Sequence, residues 1–516
     1  MKYTELVDKH EKKIFRILEI IPGLFTWIVI FSPIWLGLIF PEALVYFLIF
    51  LTVYWCYLAI KGTIGGFIGY KRHNKEMAID WAKVCEKLDY SQLPDRDTLP
   101  ASLNDVRHFL LIPVYSEPYE LLQSTVNALF EQTFPLNRVN ITFAIEEKYA
   151  TRVIEDLNNI FGDRKEQFED VNYFVHPAGI PGEAIGAAAA NRRHGAIQSV
   201  KRLQESGKNI RNYIFTTLDS DHVLHPQFLA RLTHLYLTSD QRDYRYFATA
   251  VYLFNNNHWE VPTVMRIEAN FVTMGTLSGW SYFPNLKAKD TFSNYSASLQ
   301  TLIDADYWDA ALGIDDTIFY WRAFFKRDGH FLATVHYIPY SADAVGGNTY
   351  LESYKSLYLQ LLRWGYGVID FPLSMLGFMK NNNIPLGTKI AWVVQHLHKR
   401  IILINITFLI TFGFTIATLV NPNVRQTIFA YSLPNIMSII LSFTMIFLIP
   451  GFILRAKITK AMPDEWPFWR KALVILEGPL VIVNLLTYSF IPYVDAQTRM
   501  LLGKKIKDLY HTEKVR

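Results

Sequence analysis

The sequence predicts an α/β domain inserted between two groups of transmembrane α-helices. Three observations carry that expectation: long apolar stretches at both ends of the chain, alternating strand and helix patterns between them, and an Asp-x-Asp pair closing one strand pattern. At 516 residues the chain exceeds the roughly 100–200 residues of a single domain. Hydrophobic residues make up 51% and aromatics 15%, which is rich for a soluble protein and points to membrane contact. A net charge of only +4 gives no global nucleic-acid signal, so no nucleic-acid partner is expected. One of the two cysteines, Cys56, lies inside an apolar run, which argues against a disulfide framework.

Five apolar stretches approach or exceed the roughly 20 residues that span a bilayer: 17–40, 43–60, 401–420, 436–454 and 473–494. The first two form a hairpin around Pro41-Glu42. Lys9, Lys12, Lys13 and Arg16 precede it, and Lys61, Lys71, Arg72 and Lys75 follow it. The positive-inside rule therefore places both its ends, and the middle of the chain, in the cytosol. Basic residues flank the last stretch on both sides, and it contains the helix-breaking Glu477-Gly478-Pro479. A kinked or re-entrant segment is expected there, with a simple fifth span as the alternative.

Residues 106–345 alternate strand and helix patterns. The expected order is strand 107–112, helix 119–131, strand 139–145, helix 151–160, strand 171–175, an Ala-rich helix from 186 to 196, and strand 213–218. In open α/β sheets, ligands bind at the carboxyl ends of strands. Three such ends carry acids: Glu117, Glu146 with Glu147, and Asp219 with Asp221. Two carboxylates one residue apart can both lean toward a hard divalent cation, which takes oxygen ligands. Acids converging on one rim would be costly without a cation or hydrogen-bond donors nearby. His222 is expected on that cation or, with better odds, in a hydrogen-bonding role. Further along, Asp315-Asp316 opens a helical pattern, and Gln360, Arg363 and Trp364 lie on a helix rich in Tyr and Leu. Residues 341–348 read as a gating loop or an ordinary surface turn. Residues 350–378 and 385–399 read as interfacial amphipathic helices.

Taken in order, Pro113–Glu117, Glu146, Asp219-Ser220-Asp221, Ile314-Asp315-Asp316 and Gln360–Trp364 resemble the motifs of membrane-embedded family 2 glycosyltransferases, the group of cellulose, chitin and hyaluronan synthases and ceramide glucosyltransferases. The resemblance implies a GT-A fold for residues 106–345, between a transmembrane hairpin (1–61) with its connector (62–105), interfacial helices (346–400) and a C-terminal membrane region with a basic tail (401–516). It implies inverting transfer from a nucleotide-diphosphate sugar, UDP-linked, to a growing polysaccharide or to a lipid acceptor at the plasma membrane. It further implies Mg²⁺ or Mn²⁺ on Asp219 and Asp221, a catalytic pair Asp315 and Asp316 with Asp316 as base, and donor contacts from Pro113, Tyr115, Glu117, Glu146, Asp219, Gln360, Arg363 and Trp364.

The chain departs from that pattern in places. Ser116 replaces Asn, Glu146 or Glu147 replaces the Asp that meets the nucleobase, and Ile314 and Asp315 replace Thr and Glu. The family's Lys in the Ala-rich helix is missing after Gly186, which leaves its contact to Arg192 or Arg193 or removes it. Two readings from other classes remain at this stage: a transporter with a nucleotide-sensing domain, and a non-catalytic partner subunit.

Overall fold

The computed structural model describes residues 3–184, 188–282, 289, 291–314, 316–426, 428–504, 512 and 514. Asp315, Gly186 and Ala187 lie outside the described residues.

The middle of the chain forms a seven-stranded sheet in the order β3-β2-β1-β4-β8-β6-β9. Its strands are β1 (Arg107–Val114), β2 (Val139–Glu146), β3 (Asp170–His176), β4 (Tyr213–Thr217), β6 (Arg245–Thr249), β8 (Tyr295–Ser298) and β9 (Leu332–His336). β1 runs parallel to both β2 and β4, while β8 is antiparallel to β4 and β6. A second, three-stranded sheet orders β5 (Val223–Leu224), β10 (Tyr340–Ser341) and β7 (Tyr252–Leu253) as β5-β10-β7. The expected strands and helices of 106–218 are all present, and their ends move by a residue or two except in the Ala-rich helix.

Both faces of the main sheet are covered, which is why its strands are continuous apolar runs. Leu110, Ile112 and Val114 of β1 face one layer, with Leu122, Val126 and Leu129 of helix Tyr119–Phe130 and Val153, Leu157 and Ile160 of helix Ala150–Phe161. Phe109 and Leu111 face the other, with Ala189, Ala196, Val200 and Leu203 of helix Ala188–Glu205 and Phe319 and Phe324 of helix Asp316–Lys326. The small residues of the Ala-rich helix let it lie close on the sheet. At Gly195 a Cβ would meet the Ala144 Cβ at 2.7 Å, so this crossing requires glycine.

Among the described residues three helices are long and apolar enough to cross a membrane: Pro41–Met77, Leu386–Val420 and Tyr431–Ile458. The number rises to five if each of two bent pairs counts as one span. One pair is Glu11–Ile30 with Ser32–Ile39, bent by 58°; the other is Phe468–Ile475 with the helical run Leu480–Leu501, bent by 48° across Glu477-Gly478-Pro479. The apolar stretch 17–40 is therefore not one straight helix. It breaks at Phe31, where Ser32-Pro33 starts a new turn and Pro33 lacks the N–H a continuous ladder needs. The helix from Leu386 passes through a π-turn, Leu397–Ile402, and continues to Val420.

Helix Pro41–Met77 links these helices to the sheet. Gly65 lets it touch helix Thr263–Ser281, since a Cβ there would meet the Ser278 carbonyl at 2.7 Å. At its far end Glu76 takes Arg231 at 2.8 Å and the Tyr337 N–H at 2.7 Å. Cys56 and Cys85 are buried free thiols.

Candidate active site

A cavity of about 370 Å³ opens at the carboxyl ends of β1 and β4. Nine of the residues expected to bind donor or metal or to act in catalysis line it: Pro113, Tyr115, Glu117, Asp219, Asp221, Asp316, Gln360, Arg363 and Trp364.

Asp219 and Asp221 stand just past β4, where the Leu218 N–H still bonds the Leu111 carbonyl of β1 at 3.0 Å. The turn between them is held from behind. Glu117 accepts the Tyr115 N–H at 2.7 Å on one oxygen and the Ser220 hydroxyl at 2.8 Å on the other. The Ser220 carbonyl accepts the Thr125 hydroxyl at 2.7 Å. Glu117 thus lines the cavity while turning both oxygens to the protein.

Asp219 takes Arg192 on one oxygen and the Ser293 hydroxyl, at 2.9 Å, on the other. Burial works to raise its pKa, but His222, Arg192 and Lys514 hold the carboxyl well below the usual range. Asp221 accepts the Asp343 N–H at 2.9 Å on Oδ2, while its Oδ1 lies 2.5 Å from the Lys514 ammonium. Burial disfavours that ammonium, but the carboxylates of Asp221 and Asp219 outweigh it and raise its pKa. Residues 341–348 do not form a gating loop over the site. Ala342, Asp343, Ala344 and Val345 are buried, and Asp343 lines the cavity.

His222 takes the hydrogen-bonding role. Its Nδ1 accepts the Asp219 N–H at 3.1 Å, and its Nε2 meets Ser293 Oγ at 3.2 Å. Burial pushes its pKa down despite both aspartates, and with Nδ1 accepting, the ring proton sits on Nε2. Asp219, Asp221 and His222 each offer a ligand atom, all within 4.8 Å of one another. The two carboxylates suit Mg²⁺ or Mn²⁺ through their oxygens, with His222 beside them engaged through both of its nitrogens, so the acidic pair fits a metal site.

Asp316 enters from the first turn of helix Asp316–Lys326, its Oδ1 3.8 Å from Arg192. Gln360, Arg363 and Trp364 come from helix Tyr350–Gly365, whose start is fixed by a Thr349–Glu352 capping box. Their i, i+3, i+4 spacing puts all three on one face. Burial lowers the basicity of Arg363, against the pull of Asp219 and Asp316, and the guanidinium remains charged between them.

Two expected acids stand apart. Glu146 closes β2 outside the cavity lining, near Tyr115, whose ring meets Tyr149 edge-on at 5.0 Å. Glu147 is occupied by the Ala178 N–H at 2.8 Å, which leaves Glu146 as the acid nearer the cavity. Glu183 pairs with His176 at 3.0 Å, bracing the loop between them. Ser293, Thr291, Asp343 and Lys514 were not foreseen: none has a motif, and each is brought in by tertiary folding. Of the two arginines of the Ala-rich helix, Arg192 reaches Asp219, and Arg193 turns away to Asp306 at 3.2 Å.

No family model and no curated protein sequence matches the chain. Among solved structures it is similar to the mannosyltransferase PcManGT from Pyrobaculum calidifontis, in complex with GDP-Man and Mn²⁺, at 12% identity and TM-score 0.42, over 87% of this chain and 99% of that one. It is also similar to S. aureus TarS, at 11% identity and TM-score 0.30, over 63% of this chain and 55% of that one. TarS 1-349 in complex with UDP-GlcNAc gives 11% identity and TM-score 0.30, over 66% and 92%. The structural neighbours of the chain are glycosyltransferases with nucleotide-sugar ligands.

Proposed function

We propose that the chain is an inverting, metal-dependent family 2 glycosyltransferase with a GT-A catalytic domain. In this reading it moves a sugar from a UDP-linked donor to a growing polysaccharide at the cytosolic face of the plasma membrane. The observation that carries the reading is the meeting of Asp219, Asp221, Asp316, Arg363 and Trp364 in one cavity beside helices long enough to span a bilayer. Residues 106–345 are the catalytic domain, 1–61 and 401–516 hold it at the bilayer, and 346–400 lie between.

A divalent cation on Asp219 and Asp221 would neutralise charge building on the leaving diphosphate. The residues of the chain supply the rest. Arg363 offers paired N–H groups to phosphate oxygens from a fixed, half-buried position. Asp316 accepts the proton of the acceptor hydroxyl as the oxygen bonds the anomeric carbon. The bond from that carbon to the diphosphate breaks on the opposite face, and the electron pair leaves with the nucleoside diphosphate. Displacement in one step inverts the configuration. Trp364 gives a flat face for the sugar or acceptor ring, and Tyr115 with Glu146 lies where the nucleobase would rest.

The acceptor has a second reading. Gly367, Lys399, Arg400 and Tyr493 line the same cavity, and Lys399 and Arg400 sit on the π-turn of the Leu386–Val420 helix. A cavity wall built from a membrane helix suits a lipid acceptor receiving one sugar as well as a threaded polymer. The test is release of nucleoside diphosphate by purified protein from a panel of nucleotide sugars, with and without Mn²⁺, followed by sizing of the product. Long chains support the polymer, and a single-sugar lipid replaces it with the second reading. No release from any donor sinks the transferase.

A further inference from the structure

Thr512 and Lys514 line the donor cavity although neither has a part in the proposed reaction. Thr512 is buried, and Lys514 places its ammonium 2.5 Å from Asp221 Oδ1. The other oxygen of Asp221 is already taken by the Asp343 N–H at 2.9 Å. Oδ1 is therefore the oxygen of Asp221 most open to a cation, and Lys514 stands on it.

A divalent cation would lie about 2.0–2.6 Å from that same oxygen, within contact distance of the ammonium. Two positive groups cannot share one carboxylate oxygen at that range without strong repulsion. Lysine suits a displaceable occupant, being a point charge on a flexible stem and lacking the rigid fork of arginine. We propose that Lys514 and the divalent cation compete for Asp221, so that the ammonium holds the site closed and the cation must displace it before the donor diphosphate can be bound. The inference rests on the cation assignment made above and adds to it an occupant supplied by the chain itself.

The test measures Mn²⁺ binding to the full-length purified protein without donor, by the electron paramagnetic resonance signal of free Mn²⁺. Lys514→Gln is expected to bind Mn²⁺ about tenfold more tightly than the unmodified chain. Equal, measurable affinities overturn the competition alone. Absence of binding in both proteins overturns the cation assignment and the competition with it. Tighter nucleoside-diphosphate binding by the unmodified chain, with Mn²⁺ affinity unchanged in Lys514→Gln, makes Lys514 a diphosphate ligand and also overturns the proposal. A second measurement does not depend on affinity. Thr512→Cys, in a chain whose native thiols are buried, is expected to resist a thiol reagent without Mn²⁺ and to react about tenfold faster with it. Adding Asp221→Asn should release the protection without any metal. Labelling that is fast from the outset means that Lys514 does not hold the site, and overturns the proposal.

Discussion

The two walls of the cavity are built in opposite ways. The acidic wall stands mainly on strand ends: Asp219 and Asp221 follow β4, and Glu117 follows β1, locked by bonds of 2.7 and 2.8 Å to its own neighbourhood. The cationic wall is assembled from helices and distant segments. Arg192 comes from helix Ala188–Glu205, Arg363 from helix Tyr350–Gly365, and Lys514 from far along the chain. A strand buried on both faces fixes its end to within the sheet's register, so the acids are placed once the sheet has formed. The cations reach their places through side-chain length and helix packing. The acidic wall can therefore set geometry, while the cationic wall can adapt to the charge of what it binds.

Asp316 lies between the two walls, and removing its charge should have the largest effect. Asp316→Asn keeps the volume but cannot accept the acceptor proton. Loss of a positioned general base costs about 10²–10⁴-fold, so turnover measured by nucleoside-diphosphate release should fall by that range. Mn²⁺ affinity should stay near that of the unmodified chain. Full turnover in this variant would show that Asp316 is not the base and that another group accepts the acceptor proton. A smaller break, on the cationic wall alone, is Arg363→Lys. It keeps the charge and loses the fork that meets two phosphate oxygens. Losing one preorganised donor to developing charge costs about 10²–10³-fold in turnover, and the lower end is expected because the ammonium remains. An unchanged rate would mean that Arg363 supports the fold and not the leaving group.

The contrast between the walls also explains what could be read in the sequence. The acids were legible because each follows a strand pattern directly, so local order places it at the rim. Gln360, Arg363 and Trp364 were legible because helical spacing alone puts them on one face. Ser293, Asp343 and Lys514 were not, since each reaches Asp219 or Asp221 through the tertiary fold. Glu117 was found for its place, but its work was hidden: which way a strand-end carboxylate turns depends on donors such as Ser220 that only the folded turn supplies. In the membrane region, hydropathy found the apolar runs yet missed the break at Phe31 and the continuity through Leu397–Ile402, because both concern backbone geometry that apolar content does not encode.

Glu117 separates position from charge on the acidic wall. Glu117→Ala leaves the half-buried Tyr115 N–H without its acceptor and frees the buried Ser220 hydroxyl. An unsatisfied buried donor costs about 1–3 kcal/mol, so thermal unfolding should shift down accordingly. Mn²⁺ affinity should weaken by about tenfold as the turn loosens. Glu117→Gln should recover most of both, since one amide oxygen still serves the Tyr115 N–H and the Ser220 hydroxyl can reverse to accept from the amide. Equal loss in both variants would show that the charge itself is needed in the cavity.

The smallest effect expected is that of pH on Asp219. Its carboxyl is held below the usual range by His222, Arg192 and Lys514 against the opposing influence of burial. A carboxylate whose folded pKa lies below its unfolded value of about 3.9 contributes stability that is fully present above that value and is lost as pH falls toward the folded one. Between about pH 5 and 8 this group should contribute no slope to stability or to Mn²⁺ affinity. The loss should begin below about pH 4 and run downward from there. Burial moves the titration of His222 below its ordinary value, so its charge joins those beside Asp219 only at lower pH. Mn²⁺ titrations at half-unit steps would check this. A step near pH 6.5 would show that His222 is charged in the folded protein, placing a third cation against Asp219 and making the cationic wall stronger than its two arginines and one lysine imply.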